Sequence, residues 1–587
     1  MLFLVMPDCV SSQAEAKGIK IRETAEFYFE EFYSQVLTEG RSRLVQSGSM
    51  LLIYETMFPN QMLKSPLIDD DVLINLLDDW LRYFIILDAP KKTITMANGL
   101  SAAKSLYYHI DQNNQKICCS NRISLLRKCG VPIRENKDVL PEFFVSRFVA
   151  PPNTMYESVF QVAAGQKINI IFREDSIKVD TCSSYVPRNA RDEFVQTGHF
   201  STRLLELIAE DLTMVYDFDK NVSLLLSGGI DSSVLTKIGI RLGMIEETYS
   251  TSYPFVDSKK DTERQYALTA AKSFGISHKH FEATTEEFLK GVIHCIAINE
   301  APIQWAQSVM LYLLLHKGLP RDSKIVINGY GADGIVGGSL FSLKRRMPFI
   351  KALSFLRLSK TFVRLFASLK KDASILSKSM KRDFDNPENI VWHFTNYGDE
   401  DWVCNTFGVD KKEIIEGRLK AIQDCRNRSI FDIICLLDHL EGNETRSIWN
   451  RLAESAGKIF YFPFNNRKFV EACFSIPWTL KLREPKHVIR CAARELGIPG
   501  FIITRKKSGF GLAPYVDLWA KPGGAFAPLV RFCRDHFSDA EISELQTGNE
   551  TKAATLWTMI MYSIWRKIMI DNVPVSDLLR ELTDKSD

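Results

Sequence analysis

Residues 224–239 read LLLSGGIDSSVLTKIG: an apolar run, then a turn carrying two glycines, three serines and an aspartate, then a helix-forming stretch. An apolar run bounded by turn residues reads as a buried strand, and the stretch after it as a helix over about 232–242. Glycines at 228 and 229 allow the close backbone approach needed when N–H groups and hydroxyls gather at a helix N-terminus. That arrangement is an anion cradle. Its candidate nucleotide- and pyrophosphate-binding residues are Leu225, Leu226, Ser227, Gly228, Gly229, Asp231, Ser232 and Ser233. The spacing is not GxxxxGK[ST], because no lysine follows the glycines and Asp231 sits inside the turn. A carboxylate beside phosphates is repelled unless a cation stands between them, which makes Asp231 a candidate Mg2+ ligand.

Outward from this turn, EETYSTSYP, SHKHFEA and SKIVING read as further strands, with helices between them such as DTERQYALTAAKSFG. Strands alternating with helices of ten or more residues predict βαβ units and a parallel sheet. The chain from about 340 onward reads as mostly helical. Upstream, about 50–180 is a series of short β segments separated by polar turns such as 111–115, which predicts antiparallel hairpins in a separate N-terminal domain. The expected domains are 1–190 and 195–587, with a basic helical insertion at about 340–400.

A chain of 587 residues exceeds what one core supports, and its 45% hydrophobic and 25% charged content is that of a globular protein. A net charge of +3 gives no ground for nucleic-acid binding, and no apolar run of eighteen residues predicts a membrane span. The start MLFLVMPDCV lacks a basic region and is interrupted by Pro7 and Asp8, which makes a poor signal peptide. Twelve cysteines without CxxC pairs fit neither a zinc site nor a disulfide framework, so a reduced, cytoplasmic enzyme is expected. Residues 344–382 carry twelve lysines and arginines against Asp372, which reads first as a solvated face and second as a surface for an anionic partner.

The stretch LSGGIDSS resembles the pyrophosphate loop of the N-type ATP pyrophosphatases, which cleave ATP between its α and β phosphates and activate a carboxylate as an adenylate. INGYGADGIVGG at 327–338 resembles the second ATP-site motif of asparagine-synthetase-like enzymes, a likeness that implies Gly329 at the nucleotide and Asp333 as the other Mg2+ ligand. KHVIRCAARELGIPGFIITRKKSGFGLAPYVDLW resembles their C-terminal signature, with Arg505, Lys507 and Gly509 in its Arg-x-Lys-x-Gly element and Lys486 as a further phosphate contact. NGLSAAKSLYYHIDQNNQKICCSN and FVAPPNTMYESVFQVAAGQKINI resemble the end of a glutamine-hydrolysing domain. The implied fold is α/β: a degenerate Ntn-type (class II glutamine amidotransferase-like) α/β/β/α sandwich, then an adenine nucleotide α-hydrolase-like parallel-sheet domain.

Two departures refine the resemblance. Those glutaminases use a cysteine at residue 2, where this chain has Leu2; its first cysteine is Cys9, so the amine is expected from the substrate rather than from glutamine. Tyr330 stands where asparagine synthetases carry an acidic residue, as it does in β-lactam and carbapenam synthetases, and GNETRSIWNRLAESAG resembles the segment holding that tyrosine's glutamate partner, at Glu444. The likeness implies that Tyr330 and Glu444 relay the amine proton while Lys507 stabilises the oxyanion. Beside this stand plain structural readings: Tyr330 packing under the loop, Glu444 pairing with Arg446 or Arg451, Lys507 solvated. Ser250, after the second strand, is expected at the nucleotide, and Glu263 matches an acidic position of that region. The expected cofactors are ATP and Mg2+, and the expected substrate is a small amino acid closing a β-lactam or similar lactam. A lasso-peptide macrolactam cyclase acting on a precursor peptide and an ammonia-dependent amide synthetase are the alternatives, and a homodimer stays open.

Overall fold

The computed structural model describes residues 2–7, 23–29, 32–38, 42–47, 50–56, 73, 77, 81–99, 104–184, 199–256, 261–338, 396–414, 430–505, 512, 515–546 and 549–583. The basic segment 344–382, Cys9 and Lys507 lie outside the described residues.

The first domain is built from two six-stranded antiparallel sheets. One has the order Phe160–Gln161, Tyr107–Asp111, Lys116–Ser120, Leu2–Pro7, Phe32–Thr38, Glu23–Phe29, and the other Ile177–Ser184, Gln166–Phe172, Thr93–Asn98, Leu81–Asp88, Met50–Thr56, Ser42–Ser47. The hairpins expected over 50–180 are therefore part of a larger sandwich whose strands begin at Leu2. Side chains alternate between faces at every residue of a strand, which sorts the core. Leu51, Ile53, Ile85 and Met96 pack with Tyr108, Ile117 and Cys119 between the sheets, while Leu52, Phe84 and Ile86 fill the opposite face beside Leu73 and Leu77. The same alternation sends Tyr107 and Cys118 into the core shared with the second domain. The adjacent cysteines 118 and 119 thus point to opposite faces and remain free thiols.

The second domain holds a five-stranded parallel sheet of β1 (Val222–Leu225), β2 (Glu247–Thr251), β3 (Ser277–Phe281), β4 (Ile325–Ile327) and β5 (Ile459–Tyr461), in the order β3-β2-β1-β4-β5. β5 is the strand within the mostly helical C-terminal part: three residues pair with β4 in parallel register, too short a run to show a period. Around the sheet lie α1 (Phe200–Phe218), α2 (Ile230–Arg241), α3 (Thr262–Phe274), α4 (Thr285–Asn299), the short α5 (Ala332–Val336), α6 (Ile430–Ser455), α7 (His487–Glu495) and α8 (Glu550–Met569). Local sequence sets their ends. Asp261 caps α3 by accepting from the Arg264 N–H, and Thr284 with Glu287 forms a capping box on α4.

The strand order places the chemistry. The chain runs outward from β1 through β2 to β3, then crosses to β4 on the other side, so the sheet reverses direction between β1 and β4. In an open parallel sheet the crevice at the carboxyl ends of the strands flanking such a switch is the natural ligand site. The loops leaving β1 and β4 are 226–229 and 328–331. Among the described residues no helix is long and apolar enough to cross a membrane.

Candidate active site

The loop after β1 turns through Gly228, whose φ of +69° lies in the left-handed region. A Cβ there would sit 2.4 Å from the Tyr266 carbonyl carbon, so α3 packs against the loop backbone. Leu226 donates its N–H to the Tyr249 carbonyl at 2.8 Å, tying the end of β1 to β2. Serine hydroxyls then brace the turn: Ser227 Oγ and Ser232 Oγ lie 3.1 Å apart, Ser232 Oγ donates to the Gly229 carbonyl at 3.2 Å, and the Gly229 N–H donates to Ser227 Oγ at 3.3 Å. Ser233 is fully buried one turn in, and its Oγ has no partner among the described residues.

The loop after β4 meets this one backbone to backbone. A Cβ on Gly329 would lie 3.2 Å from the Ser232 nitrogen. Gly331, at φ +100°, has no room for a side chain, because a Cβ would fall 2.2 Å from Asn465 Nδ2. Asn465 in turn donates to the Tyr330 carbonyl at 2.8 Å, while Asn328 Oδ1 accepts the Tyr330 N–H at 2.9 Å. Asn465 is a clamp that the sequence reading missed; its signal is the polar pair ending FYFPFNN beside β5.

These contacts carry Asp231 and Asp333 to one point. Lys486 Nζ stands 2.5 Å from Asp231 Oδ2 and 2.6 Å from Asp333 Oδ1. Burial would lower the ammonium's pKa, but the two carboxylates outweigh it and hold Lys486 well above the usual lysine range. Lys486 itself sits at φ +55°, capping α7. Asp231 Oδ1 is buried with no hydrogen-bond partner among the described residues. Two converging carboxylates, one with an orphaned buried oxygen, suit a hard divalent cation that takes its other ligands from phosphate and water. Among the described residues no cluster of three or more His, Cys, Asp or Glu side chains forms a fuller metal cage.

Arg505 closes the phosphate side. Its Nη1 donates to the Ser227 carbonyl at 3.1 Å, its Nη2 pairs with Glu263, and its guanidinium lies 4.0 Å from the Tyr266 ring centroid. Glu263, which from sequence matches an acidic position of that region, holds a cation behind the loop. Ser250, the residue expected at the nucleotide, is held by hydrogen bonds. Its hydroxyl bridges His278 Nε2 and His280 Nδ1, each at 2.8 Å, within the β2–β3 pair.

The expected Tyr330–Glu444 pair is not the arrangement seen. Tyr330 packs edge-on to Trp449 at 4.6 Å, with its hydroxyl toward Gly442 and hydrogen-bonded to Thr445. Burial pushes the phenol up to about 12, with Arg446 opposing and Glu441 and Asp438 adding to the rise. On a helix, residues 442 and 445 share the face toward Tyr330 and residue 444 points away. Glu444 accepts from Gln161 of the first domain at 3.0 Å, and burial raises its carboxyl despite the charges of Arg451 and Arg446. The acids on the phenol's side are Glu441 and Asp438.

In the first domain, Cys118, Cys119 and Cys129 all have thiols pushed up by burial, Cys118 to about 12, so none of these three is an activated thiolate.

Comparison with known proteins agrees with this geometry. The asparagine synthase family matches residues 203–567, and the glutamine amidotransferase domain family matches residues 81–185. A Bacillus subtilis asparagine synthetase [glutamine-hydrolyzing] 1 is 21% identical over 514 residues, covering 80% of this chain and 74% of that protein. A Mycobacterium tuberculosis putative asparagine synthetase [glutamine-hydrolyzing] is 19% identical over 499 residues, covering 79% and 72%.

Proposed function

The chain belongs to the asparagine synthase family and is an ATP-dependent, amide-forming carbon–nitrogen ligase; from that premise we propose that it adenylates a substrate carboxylate and closes an intramolecular amide, a β-lactam or similar small lactam. AMP and pyrophosphate leave. The observation that carries this reading is Tyr330, a phenol on the loop leaving β4, three residues before Asp333.

Ser227, Gly228, Gly229, Ser232 and Ser233 line the pyrophosphate cradle, with Leu226 and Gly329 beside the nucleotide. Asp231 and Asp333 would hold Mg2+, which supplies charge neutralisation for the departing pyrophosphate. Lys486 keeps the two carboxylates together, and Arg505 with Glu263 stiffens the loop. A phenol at about 12 is no standing base. It is suited to receiving the amine proton as its own moves away, and the groups able to take that proton are the carboxylates on its side of α6, Glu441 and Asp438, while Thr445, hydrogen-bonded to the phenol, holds its orientation. Lys507 is proposed to stabilise the tetrahedral oxyanion.

Mass spectrometry of β-amino acids and short peptides incubated with the protein, ATP and Mg2+ tests the reading. Loss of one water from a small amino acid, with AMP and pyrophosphate released, supports it. Ring closure only on a precursor peptide makes the protein a macrolactam cyclase, and amidation only with added ammonium makes it an ammonia-dependent synthetase.

A further inference from the structure

Between the two domains lies a chamber of about 80 Å³, walled by Phe143, Arg147 and Gln161 from the first domain and by Asn299, Gln304 and Glu444 from the second. Three buried hydrogen-bonding atoms on this wall have no partner among the described residues: Gln304 Nε2, Arg147 Nε and Asn299 Oδ1. Gln304 and Asn299 are each only 2% exposed. Buried polar atoms left unmatched are costly, and three on one cavity wall ask for an occupant.

Their identities are fixed by what the same side chains do elsewhere. Gln304 Oε1 accepts from Thr445, so its amide presents N–H to the chamber. Asn299 Nδ2 donates to the Cys295 carbonyl at 2.9 Å, so its amide presents an oxygen. The Arg147 guanidinium lies 4.6 Å from the Trp305 ring centroid and 5.5 Å from that of Tyr397. The wall therefore offers two donors and one acceptor. The remainder is largely apolar, with Phe148, Val149 and Ile448.

We propose that this chamber binds a small primary carboxamide carried on a short apolar stem. The carbonyl oxygen takes the N–H groups of Gln304 and Arg147, and the amide nitrogen donates to Asn299 Oδ1. A carboxylate has no N–H for Asn299 and would face Glu444. An ammonium has no acceptor for Gln304 and would face the guanidinium of Arg147 and that of Arg451, which also lines the wall. A volume of this size holds roughly five water-sized groups, the bulk of acetamide or isobutyramide. Through Gln304 and Thr445 the guest lies two side chains from Tyr330. The site stands whether or not the substrate amine is internal.

Saturation-transfer NMR on the full chain, with isobutyramide, isobutyrate and isobutylammonium as probes, tests this. Isobutyramide binds with a Kd of roughly 0.1–10 mM, as befits so few atoms, and the two ions bind at least about tenfold more weakly. Gln304→Glu keeps the oxygen that accepts from Thr445 but replaces the donor, and weakens isobutyramide at least about tenfold. Equal or tighter binding of either ion, no amide binding up to about 100 mM, or an unchanged Kd in a folded Gln304→Glu overturns the proposal. Should Gln304→Glu fail to fold, the ranking of the three probes on the unaltered protein decides alone.

Discussion

Asp231 and Asp333 face one another across a single ammonium, with Lys486 Nζ 2.5 Å from one carboxylate and 2.6 Å from the other. Two carboxylates held this close repel unless positive charge separates them. Lys486→Met leaves both uncompensated, Asp231 largely buried and Asp333 partly exposed, and is expected to cost about 1–3 kcal/mol of stability. A divalent cation can restore the lost charge. Thermal melts of Lys486→Met should therefore shift upward with millimolar Mg2+ by more than those of the parent; identical responses would mean that the carboxylates do not form a cation site.

Asp231→Asn and Asp333→Asn keep side-chain shape and remove one negative charge each. If both oxygens serve the cation on the pyrophosphate, ATP–pyrophosphate exchange falls by about 10²-fold or more in each variant while the far-ultraviolet circular dichroism stays unchanged. Retained exchange in both would remove the metal assignment.

Tyr330→Phe separates activation from amide formation. The ring still packs on Trp449, so adenylation and exchange continue, but the group that accepts the amine proton is gone. Amide formation is expected to drop about 10²–10⁴-fold, with kcat rather than KM carrying the loss. Glu441→Gln, on the phenol's side of α6, should alter the pH profile of that step, and Glu444→Gln should not. Full turnover by Tyr330→Phe takes the tyrosine out of the mechanism.

How much of this was readable beforehand follows from where each signal is stored. The turn after β1 is encoded in short-range patterns, an apolar strand, a glycine turn and a helix, so Asp231 could be named from its own surroundings, whereas Asp333 followed from the resemblance of residues 327–338 to a known second motif. The partner of Tyr330 could not. Glu441 and Glu444 lie less than one helical turn apart in α6, and choosing between them needs the rotation of the helix, which tertiary packing sets. Lys486 carried no sign of bridging two carboxylates, because its position at φ +55° depends on the cap of α7 rather than on any local pattern. β5 was lost because three residues carry no period.

Gly228 is where a methyl group should do the most harm. Its φ of +69° disfavours any L side chain, and a Cβ would meet the Tyr266 backbone at 2.4 Å, which no rotamer change relieves. Gly228→Ala is expected to cost about 1–3 kcal/mol in urea denaturation and to abolish exchange by displacing the loop from α3. Gly243 offers the control, since it has φ +66° with nothing within 4 Å of its Cβ. Gly243→Ala should show the strain cost alone and keep its activity; equal effects on activity at both positions would show that the loop does not depend on its contact with Tyr266.

The β2–β3 pair carries a hydrogen-bonded row, Thr248, His278, Ser250, His280 and Ser252, with neighbours 2.8–3.0 Å apart. Thr248 donates its hydroxyl to the Ser277 carbonyl, so it accepts from His278 Nδ1–H. With both imidazoles neutral, Ser250 donates to His278 Nε2 and accepts from His280 Nδ1–H, and the row is complete. Burial, aided by the neighbouring His280 and opposed by Glu247, lowers His278 from 6.5 to about 4; His280 is lowered by burial and by Arg264, against Asp261 and Glu282. Between pH 6.5 and about 4 the unfolded chain binds a proton at His278 that the folded chain refuses. Stability is therefore fully present above pH 6.5 and is lost as the pH falls toward 4. Allowing for the partial exposure of the ring, the loss is about 1–2 kcal/mol. Urea unfolding near pH 7 and near pH 4.5 reads it as a difference of differences: the unaltered protein should lose about 1–2 kcal/mol more than His278→Gln over that interval, and equal losses would show that the row stays intact when acidified.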